Sequence, residues 1–74
     1  MVTTRELKSL RVLKGYTLQE MGQAIGRTSA AYLHKESGET AFTDGEKVKI
    51  VETLGLTFDQ FNTIFFGGEL KFDK

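Results

Sequence analysis

The stretch GYTLQEMGQAIGRTSAAYLHKESG, residues 15–38, predicts two short helices joined by a tight turn. Thr17 and Glu20 form a capping box, in which each side chain can accept a hydrogen bond from the backbone N–H of the other residue. Thr28 can cap a second helix that ends near Glu36. This order of elements is the one that places a second helix in the major groove of DNA.

Helical patterns also fill the chain before and after this stretch. Thr4 can cap a first helix that ends near Gly15. Thr43 and Glu46 repeat the capping box before a fourth helix, and Thr57 opens a fifth. The apolar residues predicted to face inward are Leu7, Leu10 and Leu13 in the first helix, Met21, Ala24 and Ile25 in the second, Val48, Val51 and Leu54 in the fourth, and Phe58, Phe61, Ile64 and Phe65 in the fifth.

The spacing of these helices predicts a single all-α domain. The connections are only a few residues long, which leaves no room for a second domain or an internal repeat. We expect residues 1–66 to form one compact five-helix domain, and residues 67–74 to form a tail that is strand-like or part of a short hairpin. Four apolar residues near this end are predicted to pack on the domain or at a protein interface: Phe65, Phe66, Leu70 and Phe72.

Composition argues against several classes of protein. The chain has 74 residues, no cysteine and one histidine, so it offers neither a disulfide framework nor a zinc site. No apolar run approaches the roughly 20 residues that span a bilayer, and the first residues lack the apolar segment of a signal peptide. No catalytic motif or phosphate-binding glycine loop is present. We expect a cytoplasmic protein that is not an enzyme and has no cofactor, metal or membrane partner.

Charge is balanced overall but uneven along the chain. Ten basic residues match ten acidic residues, whereas a domain that binds DNA phosphates is usually basic. Residues 1–14 contain four basic residues and one acidic residue, and residues 51–74 contain four acidic and two basic ones. The basic end could face phosphates or be a solvated surface.

Several short motifs follow one another in a characteristic order between about Leu7 and Phe65. They are Leu10-Arg11 before Gly15, Thr17 and Glu20 with Met21, Gly26 before Thr28, Glu36 near Gly38, and Leu54-Gly55 with Phe61. This set resembles the Xre or Cro/CI family of helix-turn-helix regulators, found in phage repressors and many bacterial regulators. The phenylalanine-rich end is also similar to small regulators encoded by prophages. The resemblance implies a five-helix, lambda-repressor-like fold.

The resemblance also implies binding to operator DNA through the third helix. Under this regulator hypothesis, Thr17, Gln19 and the positive end of the second helix would anchor a phosphate, and a homodimer would read two half-sites. Two departures from the family pattern are Leu18, where many members have a phosphate-binding Gln, and Glu39, where a basic residue would suit phosphates. The groove-facing and flanking candidates on and beside the third helix are Arg27, Ser29, Ala30, Leu33, His34 and Lys35.

The family further implies a tie between Arg11 on the first helix and Glu36 at the end of the third. A guanidinium and a carboxylate can pair in bidentate geometry and fix the orientation of two helices. We expect this pair to be structural. Tyr32 is predicted to point inward, with its hydroxyl at the edge of the core.

A second function fits the apolar character of the third helix. Ala30 and Leu33 can hydrogen-bond no base edge, and they could instead contact a protein. The alternative is therefore an antirepressor or modulator that binds a partner repressor through these residues or through the C-terminal tail. The tail could also join two subunits of a homodimer.

Overall fold

The computed structural model describes residues 4–66. This part of the chain contains five α-helices joined by short turns and loops. No strand occurs among these residues, so the all-α class predicted from the sequence is confirmed. The predicted tail, with Leu70 and Phe72, lies outside the described residues. The longest described helix has 11 residues, and none in this part of the chain is long and apolar enough to cross a membrane. The helices are α1 (Thr4–Leu13), α2 (Leu18–Ala24), α3 (Ser29–Glu36), α4 (Asp44–Leu54) and α5 (Phe58–Phe66).

The capping boxes predicted for α2 and α4 are both present. The Thr17 N–H donates to Oε1 of Glu20 over 2.9 Å, and the Glu20 N–H donates to the Thr17 hydroxyl over 3.1 Å. Thr43 and Glu46 make the same two bonds at 2.9 and 3.2 Å. Gly55 then ends α4 in the left-handed conformation, with φ of 64°. Local sequence therefore sets both ends of α4.

The predicted caps of α3 and α5 are also present, whereas Thr4, predicted to cap the first helix, is itself the first residue of α1. The Thr28 hydroxyl accepts a hydrogen bond from the Ala31 N–H and so caps α3. At α5 the Thr57 N–H donates to the Gln60 side chain, and the Gln60 N–H donates to the Thr57 hydroxyl. This third reciprocal pair uses Gln in place of Glu, a variant that the capping-box pattern allows.

Two of the predicted inward positions are wrong. Leu13 is 79% exposed and Val48 is 54% exposed. An α-helix turns about 100° per residue, so Leu13 lies about 240° around α1 from the fully buried Leu7. Val48 lies about 200° from the buried Ile50, which was not among the predicted core positions. Phe58, another predicted inward residue, keeps 37% of its surface exposed.

An aromatic cluster fills the core between the α3–α4 connection and α5. Phe42, which lies outside any helix and was not predicted to be buried, contacts the ring of Tyr32 and packs edge-on against Phe65, with centroids 6.0 and 5.6 Å apart. Phe61 lies 5.4 Å from the rings of both Phe65 and Phe66. Phe65 is only 3% exposed, so its predicted place at a protein interface is corrected to a place in the core.

Close backbone contact fixes α3 against α2. A Cβ atom added at Gly22 would lie 2.8 Å from the carbonyl oxygen of Thr28, in the residue that caps α3. The Arg27 N–H also donates to the Gly22 carbonyl over 2.7 Å. Only glycine allows this approach, and it positions the start of α3 over the middle of α2.

We expect Gly22→Ala to destabilise the protein, although alanine raises helix propensity by about 1 kcal/mol. Moving the Thr28 backbone away from the new methyl group should cost about 1–3 kcal/mol, as overpacking does elsewhere. Thermal unfolding followed by circular dichroism measures the difference. Gly45→Ala is the matched control, because the space around Gly45 in α4 is open. A Gly22→Ala protein as stable as the Gly45→Ala protein would contradict this account of the turn.

Candidate nucleic-acid interface

A buried network anchors the inner face of α3. Nε of Arg11 lies 2.8 Å from Oε2 of Glu36, and its Nη2 lies 3.3 Å from Oε1, so the two side chains pair in the bidentate geometry predicted for them. The Tyr32 hydroxyl donates to the same carboxylate over 2.8 Å. Arg11 also donates to the carbonyl of Tyr16, just before α2, over 3.0 Å. The network therefore joins α1, the start of α2 and α3.

Burial defines the chemistry of this network. Tyr32 was predicted to have its hydroxyl at the edge of the core. Instead, the residue is fully buried, and its hydroxyl lies inside the core. Burial raises the pKa of the Tyr32 hydroxyl well above its usual value, and the hydrogen bond to Glu36 raises it further. The hydroxyl therefore remains a donor to the carboxylate. Among the described residues, no fully buried side-chain nitrogen or oxygen lacks a hydrogen-bond partner.

The opposite side of α3 is the candidate interface. Its predicted groove-facing residues are Ser29, Ala30, Leu33 and His34, and all four are exposed. They occur at successive spacings of one, three and one residues, which places them on one side of the helix. Leu33 is 45% exposed. This surface, which we call the α3 face, is small and mostly uncharged.

The two cations predicted to flank the α3 face share one carboxylate. Nζ of Lys35 lies 3.0 Å from Oε1 of Glu46, and Nε of Arg27 lies 2.8 Å from Oε2. Lys35 also donates to the carbonyl of Ala41 over 2.9 Å, and its side chain is only 11% exposed. In the structure the Lys35 ammonium joins α3 to α4, and its contact with DNA stays a prediction. Arg27 keeps about half of its side chain in solvent.

Opposing effects set the ionisation of Glu46. Burial would raise the pKa of this carboxyl. The backbone N–H of Thr43 and the side chains of Arg27 and Lys35 stabilise its charged form and outweigh burial, so the pKa falls to about 2. Glu46 is consequently ionised across the physiological range and holds both cations there.

The remaining residues predicted to contact DNA are exposed, and some of them already form hydrogen bonds within the protein. His34 lies at the α3 face with Nδ1 3.0 Å from Oε1 of Glu39, and both side chains are more than half exposed. The hydroxyl of Thr17 accepts the capping bond from Glu20, and Gln19 is exposed at the start of α2. Glu39 therefore places a carboxylate beside the histidine that would contact a base.

A groove next to the α3 face was missed by sequence reasoning. It has a volume of about 500 Å³ and runs between α1, α2 and α3. Leu18 and Leu33 supply its apolar part, and Arg5 and Lys8 are exposed cations on its α1 side, with no ion pair among the described residues. The excess of basic residues in the first 14 positions could have pointed to the charged side of this groove. The sequence pattern does not show that these cations lie beside Leu18 and Leu33.

Comparisons of the chain with protein-family models, with curated proteins and with solved structures find no match. Within residues 4–66, no group of histidine and acidic side chains is arranged to hold a metal ion. The α3 face and the groove beside it are therefore the surfaces whose chemistry bears on function.

We expect Arg11→Ala to destabilise the fold by about 3 kcal/mol or more, because it leaves the buried Glu36 carboxylate without its charged partner. Denaturant unfolding measures the change in the free energy of unfolding. Lys8→Ala, an exposed residue of the same helix, should change it by less than about 0.5 kcal/mol. Equal stabilities for the two variants would show that the pair does not support the fold.

Acidic pH should remove the contribution of the Glu46 carboxylate to the free energy of unfolding. Because its pKa is lowered from 4.5 to about 2, its ionised form stabilises the fold above pH 4.5, and this contribution is lost as the pH falls toward 2. The stability difference between the parent protein and Glu46→Gln should therefore be constant above pH 5 and shrink by up to about 3 kcal/mol in acid.

Denaturant titrations at pH 2.5, 4, 5 and 7 test this pH dependence. Glu20→Gln is the control, because it removes a capping carboxylate that has no ion pair among the described residues. A stability difference for Glu46→Gln that does not vary with pH would contradict the proposed ionisation.

Proposed function

We propose that this chain is a small helix-turn-helix transcription regulator, of the Xre or Cro/CI type, that binds operator DNA through α3. The observation that carries the proposal is the exposed α3 face on a helix whose other side is fixed by buried Arg11, Tyr32 and Glu36. A reading helix has to be held rigidly while one side stays free for base edges. The contact between Gly22 and Thr28 meets the same requirement at the turn.

The chemistry of the α3 face suggests how it would read DNA. Ser29 and His34 can hydrogen-bond base edges, and Ala30 and Leu33 can contact the methyl group of thymine. Arg27 can reach a phosphate while its Nε stays on Glu46, because half of its side chain is exposed. This combination favours a site with thymine in the major groove.

Phosphate anchoring would come from the neighbouring surface. Gln19 is exposed at the start of α2, beside Thr17, and Arg5 and Lys8 are exposed on α1. A homodimer would present two α3 faces to half-sites about one helical turn of DNA apart. The proposed regulator acts in the cytoplasm and uses no cofactor and no catalytic chemistry.

The groove beside the α3 face favours a second candidate function. Leu18 and Leu33 form an apolar strip, and Arg5 and Lys8 lie next to it. An acidic segment with an apolar anchor, contributed by a partner repressor, would complement this surface. The engagement of Lys35 and Arg27 by Glu46 also reduces the positive charge available for phosphates. In this alternative the chain is an antirepressor or modulator.

Titration of the purified protein against a pool of random duplex DNA, at salt from about 50 to 200 mM, tests the main proposal. A DNA reader should bind with micromolar or tighter affinity at the lower salt concentration and weaken steeply as salt increases. Selection from the bound pool would then yield the operator. No binding at the lowest salt concentration would exclude the DNA reader and favour the modulator.

Leu33→Lys separates the two functions further. A DNA reader should still bind duplex DNA and show a steeper salt dependence, by about one counterion, because a cation is added at the α3 face, but it should lose the thymine preference that Leu33 supplies. A modulator should lose its partner repressor, because the lysine disrupts the apolar strip. Leu13→Lys adds the same charge at an exposed position of α1 that does not line the groove, and provides the control.

A further inference from the structure

A second groove, which shares no lining residue with the groove beside the α3 face, lies between α4 and α5. Its volume is about 580 Å³, larger than that of the groove beside the α3 face. Val48, on its α4 side, is more than half exposed. Its charged rim consists of Asp44, Lys47 and Glu52. The apolar side chains that line it are Val48, Val51, Leu56, Phe58, Phe61 and Phe66.

The sequence that follows α5 matches this groove. Phe66, the last residue of α5, lines the groove, and GGELKFDK follows as residues 67–74. Leu70 and Phe72 are two positions apart, so an extended backbone would direct them to one side and Glu69 and Lys71 to the other. Two glycines before this segment permit the sharp reversal that would return it over α5.

We propose that residues 69–72 dock in the α4–α5 groove of their own chain, with Leu70 and Phe72 in its apolar part. The distance allows this. Six residues separate Phe66 from Phe72 and can extend up to about 20 Å. A segment tethered by two residues also has an effective concentration in the millimolar range, which a separate partner would not reach.

The size of the groove favours a short segment over a second copy of the domain. Ten residues line it, whereas a stable interface between proteins uses about 20–30 residues on each side. Its rim disfavours nucleic acid, because Asp44, Lys47 and Glu52 sum to a charge of −1. The mixed rim instead suits the outward residues of the segment, with Glu69 opposite Lys47 and Lys71 opposite an acidic residue.

Nuclear Overhauser contacts in the full-length protein test the placement. We expect contacts from the Leu70 methyl groups and the Phe72 ring to the methyl groups of Val48 and Val51. In a mixture of isotope-labelled and unlabelled chains, these contacts should occur only within one chain and should not depend on concentration. Contacts between different chains would overturn the proposal in favour of a second copy, and the absence of contacts would overturn it in favour of a separate partner.

A pair of double variants gives an independent measurement. Leu70→Ser with Phe72→Ser should lower the melting temperature by at least about 5 °C and increase the fluorescence of a dye that binds exposed apolar surface. Glu69→Gln with Lys71→Gln changes the outward residues and should leave the dye signal unchanged. Equal melting temperatures for the parent protein and the serine variant would overturn the proposal. Both outcomes are independent of DNA binding.

Discussion

The buried carboxylate of Glu36 is the constraint that orients the helices around α3. Its two oxygens accept hydrogen bonds from Arg11 on α1 and from Tyr32 one turn earlier on α3. A buried charge that loses such partners costs several kcal/mol, so arrangements of α3 that break the network are strongly disfavoured. The network orients α3, and the surrounding apolar side chains provide most of the buried surface.

A second carboxylate holds α3 from another side. Glu46 caps its own helix through Thr43 and at the same time binds Lys35 of α3 and Arg27 of the turn. Glu46, in the first turn of α4, therefore also fixes where α4 lies relative to the turn. Together the two carboxylates leave α3 little freedom to rotate, and one side of the helix remains in solvent. The two ion networks thus determine which side of α3 forms the candidate interface.

The helix starts could be predicted from the sequence because their causes are local. Thr17, Thr28, Thr43 and Thr57 each make capping bonds within three residues along the chain. Burial was harder to predict, because extending a three-residue spacing over two turns rotates the last residue away from the core, as at Leu13.

The candidate site shows the same division between local and long-range causes. The Arg11–Glu36 pair was reached through a family resemblance and not through spacing. The engagement of Lys35 and Arg27 by Glu46 depends on how α4 packs, and the burial of Phe42 depends on the path of a loop. None of these long-range contacts has a periodic signature in the sequence.

The sharing of Glu46 between two cations has a consequence for how the proposed regulator would search for its target. The charged groups that fix α3, namely three cations and two carboxylates, sum to only +1. These groups alone would therefore contribute little to long-range steering or to affinity for unrelated DNA, which depend on the charge of the whole surface. In the proposed regulator, phosphate attraction would come from exposed cations outside this network, such as Arg5 and Lys8 on α1. The residues that orient α3 and the residues that attract DNA would then be largely separate sets.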